Sequence, residues 1–332
     1  MLTRLLYLWL FVLLLSLSCS ATSWAQSPAE IGLRTVRFIP QWSPQAQFAG
    51  YYAAQDMGFY AQRGLEVEIL PGGANHPSGP ALAAGEADFA SMFLSRGLIL
   101  RSQGHPVVNV AQIAQRSGLM LVAKKDSGID VPQDLEGKTV SLWPEFKAQP
   151  KAFFHKFDLK VNTIRQGYSM DLFLMGGVDA ASAMAYNEYL TIINSGVNKD
   201  ELTTFSMADY DLNFPEDGIY CQESLLRDDP DLVRDFVQAS IQGWEYAFSH
   251  PEQALDMVMQ RVKKARLPTN RVHQEGMLHG MRDIIQPEDA AGHIGWMDRQ
   301  TYEFVTSKLT EYGALSFTEP FEVFYDPRPS AE

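Results

Sequence analysis

The 332-residue chain is 46% hydrophobic and 20% charged, a composition that folds and that leaves room for two domains of roughly 100–200 residues each. Its 40 acidic and 27 basic residues give a formal charge of −13 with no basic block, which argues against nucleic acid or an anionic membrane surface as partner. Two cysteines are too few for a disulfide-stapled scaffold or a cysteine-rich metal site.

Residues 1–25 read as a bacterial-type export signal: a basic start ending at Arg4, an apolar run over 5–15, and Ser23-Trp24-Ala25 as the cleavage site. That run is short for a transmembrane helix, and no later stretch approaches the roughly 18–20 apolar residues a span needs. Lipid anchoring at Cys19 is the weaker reading because Ser16 stands where a lipobox has leucine, and cleavage after Ala25 leaves Cys221 alone, without an intrachain disulfide partner. The expected address is therefore the periplasm.

Alternation predicts a strand over 35–39, a helix over 45–62 stopped at Gly64, and a strand over 65–70. A short helix over 80–84, strands over 87–93 and 107–113, and a helix over 94–103 continue this βαβ pattern into a doubly wound sheet. From Gly118 the pattern restarts with strands over 119–124 and 138–143, a helix near 151–157, a strand near 163–166 and an apolar segment over 178–186. Gly218-Ile219-Tyr220 reads as a return strand. Helices follow over 230–248, with Val233, Phe236, Val237, Trp244 and Phe248 on one stripe, and over 251–262. The fold class is α/β, with 26–117 and 220–332 forming a first lobe, 118–219 a second, and chain crossings near 115–119 and 218–221.

Chemical motifs are few. Gly137-Lys138-Thr139 resembles the end of a phosphate loop, but Pro132 occupies the place of its first glycine. Gly167-Tyr168-Ser169-Met170-Asp171 lacks the final glycine of a nucleophile elbow, and the seven histidines include no metal-binding pair at i, i+4. No catalytic residue, cofactor or metal is assigned.

Two segments carry aromatic and amide groups where open α/β sheets bind ligands, at the C-terminal ends of strands. In the first, Trp42 faces the cleft and Gln47 lies at the following helix start; the competing reading makes Trp42 a plug under the loop and Gln45 and Gln47 ordinary helix-start residues. In the second, Tyr186, Asn187 and Glu188 put an aromatic ring, an amide and a carboxylate in succession, suited to stacking on a flat ring and bonding its edge. The alternative for Glu188 is a solvated helix-start acid. Trp143 ends a strand of the same lobe in an equivalent place, and Gly72-Gly73 permits close backbone approach while His76 reads as a surface residue.

Val36-Arg37-Phe38-Ile39-Pro40-Gln41-Trp42, Ala49-Gly50-Tyr51-Tyr52-Ala53-Ala54, Gly58-Phe59-Tyr60, Ala83-Ala84-Gly85-Glu86-Ala87-Asp88-Phe89 and Met184-Ala185-Tyr186-Asn187-Glu188-Tyr189 resemble the periplasmic solute-binding proteins related to thiamine-pyrimidine synthase. The resemblance implies a two-lobed type II binding-protein fold with a hinged cleft, acting as a monomer that hands a small molecule to the membrane subunits of an ABC importer. It also implies an aminopyrimidine-like ligand, a formylaminopyrimidine precursor of thiamine, with stacking on Trp42 and Tyr186 and a hydrogen bond to Glu188. The stretch over 144–150 departs from the glycine-rich form of that group, and the cysteine-rich run of the enzyme branch is missing. Alternatives of other kinds are an alkanesulfonate, taurine or nitrate carrier, a pyrimidine-forming enzyme, and the input domain of a sensor.

Overall fold

Alternating apolar residues bury Val36 and Phe38 in β1 (Arg34–Ile39) and Leu65 and Val67 in β2 (Leu65–Ile69), and the strands pair in parallel with Val36 opposite Val67. The computed structural model describes residues 32–288 and 293–331, so the export segment and Cys19 lie outside the described residues. The remaining strands are β3 (Phe89–Phe93), β4 (Val107–Gln112), β5 (Leu119–Lys124), β6 (Thr139–Leu142), β7 (Asn162–Arg165), β8 (Ala180–Met184), β9 (Leu202–Ser206) and β10 (Asp217–Gln222). They form two five-stranded sheets, in the orders β2-β1-β3-β10-β4 and β7-β6-β8-β5-β9. Each is mixed: β10 runs antiparallel to β3 and β4, and β5 runs antiparallel to β8 and β9. The protein is thus α/β and two-lobed, one lobe around each sheet.

The longer helices are α1 (Ala49–Asp56), α2 (Leu94–Ser102), α3 (Ala148–Lys156), α4 (Glu188–Asn194), α5 (Pro230–Ser249), α6 (Pro251–Lys264), α7 (Arg271–Ile285) and α8 (Arg299–Glu311). Asp229 caps α5 by accepting the Leu232 N–H at 3.1 Å, and Pro230 supplies a preset first turn. The stripe Val233, Phe236, Val237, Trp244 and Phe248 is buried, as the spacing predicts. Phe236 stacks on Phe89 of β3 with centroids 4.0 Å apart, which seats α5 against the first sheet. Burying each such ring contributes about 1.5–3 kcal/mol. At Gly243 a Cβ would lie 2.1 Å from the Gly50 carbonyl oxygen, so glycine sets how closely α5 approaches α1.

Two expectations are corrected, and one strand appears that the sequence did not announce. The helix expected over 45–62 is a 3₁₀ turn (Ala46–Phe48), α1, and a separate turn (Phe59–Gln62), because Gly58 adopts a left-handed conformation with φ +73°. Strand β9, which has no clear apolar alternation, completes the second sheet by pairing with β5. Residues 217–219, assigned from sequence to the second lobe, belong to β10 and are hydrogen-bonded on both sides within the first sheet. The return crossing therefore lies upstream, between Ser206 and Asp217, and a hinge near 218–221 is ruled out by the ladder bonds that hold that strand.

Candidate functional site

The ends of four strands converge between the lobes. Gln41 and Trp42 follow β1, Phe93 ends β3, Trp143 and Phe146 follow β6, and Tyr186, Asn187 and Glu188 follow β8. Together with Gln45 and Gln47 they line a narrow cavity with about 20 Å³ free to the centre of a water molecule. All six residues singled out from sequence, Trp42, Gln47, Trp143, Tyr186, Asn187 and Glu188, line this one cavity.

Trp42 is half-buried and faces across the cleft. Its ring meets Trp143 edge-on with centroids 5.0 Å apart, and Tyr168 and Phe146 at 5.5 and 5.9 Å. The Tyr168 hydroxyl, from the second lobe, accepts the Ala74 N–H at 3.3 Å from the glycine-rich loop of the first. That loop approaches closely because Gly72 has no side chain: a Cβ there would lie 1.9 Å from the Pro40 carbonyl oxygen. Sequence reading missed Tyr168 and Phe146 as cleft residues. The aromatic character of both was visible, but their position opposite Trp42 depends on the pairing of the lobes.

Glu188 opens α4 and is 8% exposed, not a solvated acid. Its Oε2 accepts the Met184 N–H at 2.8 Å and its Oε1 accepts Asn187 Nδ2 at 3.2 Å. Burial raises its pKa, while the backbone N–H groups of Met184 and Glu188 and the Trp143 indole favour the charged form. Asn187 Oδ1 pairs with His273 Nε2 of α7 at 3.0 Å. The same helix holds the first segment in place, where Gln274 accepts the Ala46 N–H at 2.7 Å. Helix α7 thus positions residues on both sides of the cavity.

Tyr186 is buried, and its hydroxyl donates to Glu216 Oε2 at 2.6 Å. Glu216 Oε1 accepts the Gly118 N–H at 2.6 Å, so one carboxylate ties the outgoing crossing, the return crossing and the end of β8 together. Gln47 donates to Asp217 Oδ2 at 2.8 Å and accepts from Gln45 at 2.6 Å, while Gln41 donates to Asp217 Oδ1. The amide of Gln47 is therefore committed mainly to holding Asp217. The adjacent acids at 216–217, in an otherwise apolar stretch, are the signal that sequence reading passed over.

Burial pushes Glu216 up to about 8 against its bonds from Tyr186 and Gly118, with neighbouring acids adding to the rise, and pushes Asp217 up to about 7 against Gln47 and Gln41. Both values exceed those of the unfolded chain, so the native state holds these protons more tightly. The resulting stability is fully present below the unfolded values, about 4, and is lost as pH rises through 7–8. The melting temperature is expected to fall between pH 5 and 9, and Glu216→Gln, which keeps a neutral acceptor, to fall less steeply. Equal slopes for both proteins in thermal melts would count against this account.

Among the described residues no cluster of His, Cys, Asp and Glu could hold a metal ion, and no helix is long and apolar enough to cross a membrane. Two mixed sheets, each in its own lobe, with a cavity where their strand ends face one another, define a two-lobed periplasmic binding-protein fold. Aliphatic sulfonate-binding SsuA of Escherichia coli shares that fold, with a TM-score of 0.67 at 14% identity over 88% of this chain and 97% of that one. The chain belongs to the family described as NMT1/THI5 like, matched over residues 45–254. It is 30% identical to riboflavin-binding protein RibY of Chloroflexus aurantiacus over 94% of this chain and 93% of that protein. It is 24% identical to the formylaminopyrimidine-binding protein of Halalkalibacterium halodurans over 92% of this chain and 93% of that one.

Proposed function

We propose that this protein is an exported solute-binding protein that closes its lobes on a planar nitrogen heterocycle and delivers it to an ABC importer. The observation that carries this reading is the meeting of Trp42 and Trp143, from opposite lobes, beside Tyr186 and the carboxylate of Glu188 in one cavity. Aromatic rings offer faces for stacking, and a poorly hydrated carboxylate accepts an N–H from the ring edge. An exocyclic amine, as in an aminopyrimidine precursor of thiamine, and a ring imide both meet that requirement. The likeness to proteins named for binding riboflavin and formylaminopyrimidine supports the class.

No chemical step is needed. Closure pivots at the crossings over 115–118 and 207–216, and the ligand stabilises the closed arrangement by contacting both lobes. A sulfonate or nitrate would want cationic donors, whereas the acid at this cavity, Glu188, repels it.

A thermal-shift screen tests the proposal, since a ligand that binds only the folded state raises its apparent stability. An aminopyrimidine or riboflavin is expected to shift the transition, and alkanesulfonates, taurine and nitrate to leave it unmoved. The reverse pattern would transfer the protein to the sulfonate class. Mass spectrometry of the recovered ligand separates a carrier, which returns it unchanged, from an enzyme.

A further inference from the structure

A second narrow chamber, with about 30 Å³ free to the centre of a water molecule, adjoins the aromatic cavity and shares Gln41, Trp42 and Phe146 with it as walls. Its far side holds a charged pair contributed by the two lobes: Arg96 in the first turn of α2, and Glu145 in the loop after β6. Arg96 is partly buried and makes no hydrogen bond or ion pair among the described residues. The Oε2 atom of Glu145 is buried without a hydrogen-bond partner. Each charge feels the other through space, which offsets part of the desolvation of Arg96. Neither has its hydrogen-bonding capacity filled, and unfilled buried polar groups are costly.

The chemistry of a guest follows from that pair. Arg96 offers only donors and Glu145 Oε2 only acceptor sites. A phosphate or carboxylate would satisfy Arg96 and be repelled by Glu145, and an ammonium would do the reverse. A hydroxyl accepts from one and donates to the other, so successive hydroxyls on a short chain satisfy both without leaving a net charge uncompensated. We propose that this chamber holds a neutral, polyhydroxylated arm of the ligand, whose flat ring occupies the aromatic cavity. The inference rests on the reading of that cavity as the ring site. It narrows the ligand class from any planar nitrogen heterocycle to one bearing a sugar-alcohol or sugar substituent.

The test is titration calorimetry of the full chain with three probes sharing one tricyclic skeleton: riboflavin with its ribityl arm, lumichrome, the alloxazine form without an arm, and flavin mononucleotide with a phosphate on the arm. Riboflavin is expected to bind at least tenfold more tightly than lumichrome and more tightly than the mononucleotide. Arg96→Gln and Glu145→Gln are each expected to weaken riboflavin about tenfold or more, as for loss of a hydrogen bond to a charged group, while changing lumichrome by less than twofold. Arg96→Lys, which keeps the charge, should recover part of the loss, and melting curves show whether each variant folds. Equal affinity for riboflavin and lumichrome, equal losses for both probes in the variants, or tighter binding of the mononucleotide would each overturn the proposal. Tight binding of an armless aminopyrimidine with none of riboflavin would overturn it too and leave the ring site standing. Binding of no ring compound at all would remove the ring site itself.

Discussion

Replacing Glu188 with glutamine is expected to weaken binding of the heterocycle by about 1.5–3 kcal/mol, the usual contribution of a hydrogen bond to a charged group. Glutamine keeps an oxygen for the Met184 N–H that Glu188 Oε2 accepts at 2.8 Å, so the start of α4 should survive the exchange. What changes is the charge offered to the ring edge and the repulsion of anions from the cavity. Calorimetry with the best compound from the screen reads the first effect. Nitrate and sulfonate titrations read the second, where the variant should tolerate anions better than the parent. Unchanged heterocycle affinity with unchanged anion exclusion would confine Glu188 to its bonds with Met184 and Asn187.

The second large effect is expected at Trp42. Trp42→Ala should cost about 1–3 kcal/mol of binding, by analogy with aromatic stacking on nucleobases. Its cost to the fold should be smaller than the roughly 3–5 kcal/mol of deleting a core aromatic, because its ring is half-buried and meets Trp143, Tyr168 and Phe146 across the cleft. Phe236, stacked at 4.0 Å on Phe89 under the first sheet, supplies the contrast, and Phe236→Ala should unfold the lobe far more readily. A melting-temperature loss at Trp42→Ala equal to that at Phe236→Ala would make Trp42 a core plug after all.

The sequence by itself determined the fold class and the order of most strands, though not β9 or the helices α4, α7 and α8. Period-two alternation in Val36, Phe38, Leu65 and Val67 gives strands with one buried face, and the spacing of Val233, Phe236, Val237, Trp244 and Phe248 gives a long helix with one buried stripe. The candidate residues were legible for a related reason. Ligands sit at the carboxyl ends of strands in open α/β sheets, and Trp42, Trp143 and Tyr186 follow the ends of β1, β6 and β8.

What only the tertiary structure decided is how those strand ends face one another. The sequence carries no local mark that brings Tyr168 onto Trp42, sets Arg96 and Glu145 on one chamber, or sends His273 of α7 to Asn187, because these partners lie 126, 49 and 86 residues apart in the chain. The return strand at 218–220 was legible, but the crossing was placed on it because alternation marks a strand without saying where it starts or which sheet it joins until the ladder partners on both sides are known. Glu216 and Asp217 drew no notice in the sequence because nothing local marks them as buried. Only the packing of the strand ends and crossings around them removes their water and turns both into buried, proton-holding groups, with Glu216 tying the lobes together through Gly118 and Tyr186.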